Sequence, residues 1–225
     1  MPRPPALWTA SWPEARRVNA VDFDLYLVTD RTQTGGRDLL WVLEQALDGG
    51  VKAVQLREKD LSGRDLFLLA ERSHQLCQAY QAALFINDRV DVALAVDAAG
   101  VQLAKTSLPV ETARALLGPR KIIGASTHSL EEAKQAEQNG ADFVLFGPVY
   151  FTASKAAYGA PQGLPALKAI VDNISLPVYA IGGIKSEMIE SIKHCGARGV
   201  ALISAIISAE SPKQEAEEIL RRLRY

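Results

Sequence analysis

Gly50-Val51-Lys52-Ala53-Val54, Gly140-Ala141-Asp142-Phe143-Val144 and Gly196-Ala197-Arg198-Gly199-Val200 share one layout. In each, a glycine closes a helical pattern, a short link follows, and an apolar run begins. Glycine takes the left-handed conformation at a helix end most readily, so the repeat reads as helix, stop, buried strand. Outward from these points the same alternation runs from about residue 24 to the end. Strands are predicted at 25–29, 53–56, 83–86, 100–103, 122–126, 143–146, 178–181 and 199–202. Most are near-continuous in Val, Ile, Leu and Phe, as strands covered on both faces are. The stretches between them have helical periodicity and the length of parallel crossovers. Ser129-x-x-Glu132 reads as a capping box, and Ser186 is placed at the start of the helix carrying Ile189 and Ile192.

Eight such units in 225 residues, with no linker between them, favour a closed barrel over an open doubly wound sheet. The fold class expected is α/β, a single (β/α)8 TIM barrel over residues 21–225, preceded by an extension over 1–20 that carries Trp8 and Trp12. The net charge of −1 offers no basic field, so neither a nucleic-acid nor a membrane partner is expected. Cys77 and Cys195 lie far apart and outside any CxxC pair, which points to a reducing compartment and no zinc. The opening lacks the apolar stretch of a signal peptide, so the cytoplasm is the expected location. Barrels of this kind often pair, and a homo-oligomer is the one macromolecular partner left open.

Barrel chemistry gathers where strands end, at the C-terminal rim. The second strand runs into Arg57-Glu58-Lys59-Asp60. Arg57 offers a planar fork for phosphate and Lys59 a point charge. Alternatively, both belong to a rim ion-pair network with Glu58 or Asp60. The third strand ends in Asn87-Asp88-Arg89, where Asp88 is a ligand-binding carboxylate or, more simply, a helix cap. After the fifth strand stands His128, a proton carrier near neutral pH or a support for its turn. A long loop after the sixth strand carries Thr152, Ser154 and Lys155, suited to an anion. Gly182-Gly183 and Ser204, after the last two strands, stand where such barrels commonly bind phosphate.

Together these runs resemble the thiamine-phosphate synthase/TenI superfamily. The resemblance is carried by LYLVTD (25–30), QLREK (55–59), INDRVDVALAVDA (86–98), Gly124-x-Ser126, GADFVLFGPVY (140–150), AIGGI (180–184) and SAI (204–206). It implies a (β/α)8 barrel, a role in thiamine biosynthesis and a small phosphorylated thiazole as substrate. In the synthase branch, which joins a pyrimidine diphosphate to a thiazole phosphate with magnesium, the diphosphate would be held by Arg57, Lys59, Asn87, Ser126, Thr152, Ser154 and Lys155. Asp88 would hold the metal, and Gly183 and Ser204 the thiazole phosphate. Synthases usually carry GVHLGQ and then acidic residues after the fourth strand, one of them the second magnesium ligand. Here Gln102, Ala104, Lys105 and Ser107 stand at the histidine, glycine, glutamine and carboxylate positions. A lysine arriving as a carboxylate leaves weakens a magnesium site. The sequence reading therefore prefers the other branch, a TenI-like thiazole tautomerase needing no cofactor. There His128 would move the proton while Gly182, Gly183 and Ser204 grip the substrate phosphate. The magnesium-dependent synthase is the alternative.

Overall fold

The computed structural model describes residues 21–152 and 160–224. The strands are β1 (Leu25–Val28), β2 (Ala53–Leu56), β3 (Ala83–Asn87), β4 (Gly100–Leu103), β5 (Ile122–Thr127), β6 (Phe143–Phe146), β7 (Val178–Ile181) and β8 (Gly199–Leu202). All are parallel and pair in sequence order, and β8 returns to β1 to close the barrel. The outer layer consists of α1 (Leu39–Asp48), α2 (Gly63–Ala79), α3 (Val90–Ala95), α4 (Val110–Leu117), α5 (Leu130–Gln138), α6 (Gly163–Val171), α7 (Ile189–His194), α8 (Ser204–Ile207) and α9 (Pro212–Arg224). The short α8 is an addition between β8 and the closing helix. Residues 1–20, with Trp8 and Trp12, lie outside the described residues.

Gly50, Gly140 and Gly196 all have positive φ, as the repeat requires of residues that end helices. Two details differ from the sequence reading. Ser129 does cap α5, accepting from the Glu132 N–H at 3.2 Å, but Glu132 reaches back to the N–H of His128 rather than of Ser129. Ser186 caps nothing, because Ser186–Met188 form a 3-10 turn and α7 begins only at Ile189.

The hydrophobic mass lies in two shells. The larger packs the helices onto the outside of the sheet, with Leu43, Leu56, Ile86 and Ile192 among its buried members. The smaller fills the barrel with aromatic rings. Phe23, just before β1, lies within 4.8–5.9 Å, centroid to centroid, of Tyr26, Phe85, Phe143 and Tyr179. The Tyr179 hydroxyl donates to the Phe23 carbonyl at 2.6 Å and fixes the ring in place. The N-terminal end of the barrel is thereby stoppered, and polar side chains inside it collect toward the opposite rim.

Candidate active site

Gln55 and Gln102 are buried, and Nε2 of the first and Oε1 of the second lack a hydrogen-bond partner among the described residues. Gln102 donates through Nε2 to the Ser126 hydroxyl at 3.0 Å. A Cβ on Gly124 would overlap both Gln102 Oε1 and the Phe143 ring, so this glycine makes room for the amide above the aromatic floor. A buried donor and a buried acceptor without partners are costly unless a ligand meets them.

At the ends of β1 and β2, the expected network of Glu58 and Asp60 forms, but with a different cation. Glu58 is buried and accepts from the Thr29 hydroxyl at 2.6 Å, from the Arg31 N–H at 3.1 and 3.2 Å, and from Arg31 Nη1 at 3.2 Å. The Arg31 guanidinium also grips Asp60 with two bonds, at 2.5 and 2.6 Å. That hydrogen-bonded pair holds the Asp60 carboxyl below the usual range and pushes the Arg31 guanidinium above its own. Thr29 in turn accepts from the Arg57 N–H at 2.9 Å, which fixes the backbone from which that side chain springs. The ion pairs among the described residues give neither Arg57 nor Lys59 a carboxylate.

At the ends of β3 and β4, Asp88 is not a helix cap. It has φ 60°, α3 starts without a side-chain cap, and the carboxylate turns to other partners. Asn87 Nδ2 donates to Oδ2 at 2.8 Å and the Ser107 hydroxyl donates to Oδ1. Ser107 also accepts from the Ala104 N–H at 2.6 Å, which fixes its oxygen beside Asp88. Lys105 does not enter this cluster. It is mostly exposed and pairs with Glu132 at 3.0 Å, lining a cleft of about 420 Å³ between α4 and α5. Burial would raise the Glu132 carboxyl, but the bonds from Lys105 and the His128 N–H outweigh it and lower it. Lys105 thus pairs with Glu132 outside the Asp88 cluster, and the position where a second carboxylate was looked for holds Ser107.

His128 is exposed, and its Nδ1 lies 2.5 Å from the Gly147 carbonyl. A carbonyl only accepts, so Nδ1 carries a proton and Nε2 is the basic nitrogen of the neutral ring. The turn-supporting role is realised at the root of the long loop. That loop continues the β6–β7 seam, with Val149 and Tyr150 donating to the Ile181 and Gly182 carbonyls at 2.9 and 3.0 Å. Gly182 and Gly183 both have positive φ, and a Cβ on Gly183 would overlap the Phe151 and Tyr150 carbonyls. The glycine pair is therefore required by loop packing, whatever else it binds. Thr152 lies at the loop root, Ser204 is exposed at the start of α8, and Ser154 and Lys155 fall outside the described residues.

A family model described as thiamine monophosphate synthase matches residues 25–206, from β1 to α8. The chain belongs to this family. A Geobacter sulfurreducens protein named "Putative thiamine-phosphate synthase" is 53% identical over 90% of this chain and 95% of its own length. The thiamine-phosphate synthase of Desulfitobacterium hafniense is 44% identical over 89% and 97%. Among solved structures, the thiamine phosphate pyrophosphorylase from Pyrococcus furiosus superposes with a TM-score of 0.82 at 39% identity, covering 90% of this chain and 96% of that one. The superfamily expected from the motifs is confirmed, and with it an enzyme of thiamine biosynthesis on a (β/α)8 barrel. The relatives carry the synthase name, which favours the transferase alternative over the tautomerase.

For this family member, sequence reasoning found the rim but missed Arg31, Thr29 and Ser107. Arg31 stands next to the LYLVTD run, yet its partners lie 27 and 29 residues along the chain. No local spacing signals such a pair. Among the described residues no group of three or more His, Cys, Asp or Glu could hold a metal by itself, and no helix is long and apolar enough to cross a membrane.

Proposed function

We propose that this chain is a thiamine-phosphate synthase, joining a pyrimidine diphosphate to a thiazole phosphate and releasing pyrophosphate. The observation that carries the reading is Asp88. Its left-handed backbone, which aspartate tolerates, turns the carboxylate toward two donors at the rim instead of onto a helix end. A carboxylate held by two neutral donors keeps lone pairs for the cation that accompanies a diphosphate. Full-length likeness to proteins named as synthases supports the same reading.

Magnesium is usually bound through one or two carboxylates together with substrate phosphates and water. Asp88 and the Ser107 hydroxyl beside it supply one carboxylate and one neutral oxygen, which fits an ion carried largely by the diphosphate. When bound, the ion neutralises charge on the departing pyrophosphate. The chain's own groups do the rest. Arg57 and Lys59, which have no ion-pair partner among the described residues, bind diphosphate oxygens. Gln55 Nε2 and Gln102 Oε1 offer a donor and an acceptor to the ring nitrogens and amine of an aminopyrimidine above the aromatic floor. Asn87 and Ser126 orient Asp88 and Gln102. Gly183 and Ser204 are assigned to the thiazole phosphate, and Thr152, Ser154 and Lys155 to the diphosphate, by family resemblance. His128 holds the loop root to β5.

The test is direct. Purified protein incubated with both substrates and magnesium should give thiamine phosphate and pyrophosphate in equal amounts. Asp88→Asn should cut kcat on the order of 10²-fold while the thermal midpoint stays near that of the parent. Absence of product from the well-folded parent protein, with aromatisation of a thiazole tautomer in its place, would remove the synthase reading.

A further inference from the structure

Four consecutive residues, Arg57, Glu58, Lys59 and Asp60, bring two cations and two carboxylates to one stretch of rim. With no outside partner, charges this close would neutralise one another, and a phosphate arriving there would meet little net field. Arg31 changes that balance from a different strand end. Its guanidinium and backbone N–H hold Glu58, which is buried, and its fork holds Asp60, which is largely exposed. Arg57 and Lys59 have no ion pair among the described residues, although the Arg57 charge does act on the carboxyl of Asp30. The Asp30 carboxyl is itself committed to Thr32 and Gln33.

We infer that Arg31 is a positioning residue for anion binding: by sequestering Asp60 and steadying Glu58, it keeps Arg57 and Lys59 available to the phosphate oxygens of the ligand. This rests on the proposed function only in that the ligand is phosphorylated. Loss of the guanidinium should act mainly through Asp60. Glu58 keeps the Thr29 hydroxyl and the Arg31 backbone N–H after substitution, whereas Asp60 loses both of its bonds to a cation.

The experiment is calorimetric titration of inorganic pyrophosphate into the full chain at low ionic strength without divalent cation. Arg31→Gln should bind roughly tenfold more weakly than the parent, and the difference should shrink as salt is added. The double variant Arg31→Gln/Asp60→Asn should recover to within about twofold of the parent, since the released carboxylate is gone. Asp60→Asn alone, a surface change that tests the idea even if Arg31→Gln fails to fold, should bind pyrophosphate more tightly. Unchanged binding in Arg31→Gln overturns the inference. So does a double variant as weak as the single one, which would mean that Arg31 touches the anion itself. Weaker binding by Asp60→Asn, or no pyrophosphate binding by the parent, overturns it as well. Failure of the transferase assay with this binding pattern intact would sink the proposed reaction and leave the role of Arg31 standing.

Discussion

Ser107 uses its hydroxyl twice, accepting from the Ala104 N–H and donating to Asp88. Ser107→Ala should therefore cost about 1 kcal/mol in a urea unfolding series, the usual worth of such bonds. Ser107→Asp sets a second carboxylate against the first. Its thermal midpoint should fall in chelator and recover with magnesium, and a midpoint indifferent to magnesium would argue against metal at Asp88. Burial pushes the Cys77 thiol up to about 12 from its ordinary 9.0 and also raises Cys195. Because the folded Cys77 keeps a proton that the unfolded chain releases, its contribution to stability is intact below about pH 9 and declines as pH rises toward 12. Iodoacetamide at pH 8 should leave both thiols unmodified until denaturant is added, as peptide mass analysis can check. At this scale the sequence was least informative. Residue type suggested that Asp88 was a cap and left the direction of Lys105 open; the cap reading failed because a side chain's partner depends on a neighbouring strand.

The strands and their glycine stops were readable from composition alone, since a doubly covered strand has to be apolar and a helix end at positive φ selects glycine. What escaped was the manner in which elements meet. Glu132 was rightly placed in the first turn of α5, yet it accepts from the N–H of His128, one residue before the cap. Gly182 and Gly183 were read as an anion cradle, and the seam between the β6 loop and β7 adds a packing demand to that reading. Gly183→Ala should accordingly lower the thermal midpoint, with a loss of about 2 kcal/mol or more from positive φ and carbonyl overlap combined. The KM for thiazole phosphate should rise with it. An unchanged midpoint would show that the loop root is looser than its hydrogen bonds indicate.

Closure of the barrel followed from counting units against chain length, and β8 pairing with β1 bears it out. Gly100 and Gly199 allow the closely packed strands, because a Cβ at either position would overlap a neighbouring carbonyl. No sequence pattern announced the aromatic floor, whose five rings come from residues 23, 26, 85, 143 and 179. Each reads locally as one more apolar residue. Phe143→Ala opens a void among the others and should cost about 3–5 kcal/mol by chemical denaturation, whereas exposed Leu116→Ala should change stability by less than about 0.5 kcal/mol. The stopper at Phe23 also governs traffic. Among the described residues the sealed base leaves the opposite rim as the way in, and a guest entering there travels inward until it meets the wall of rings.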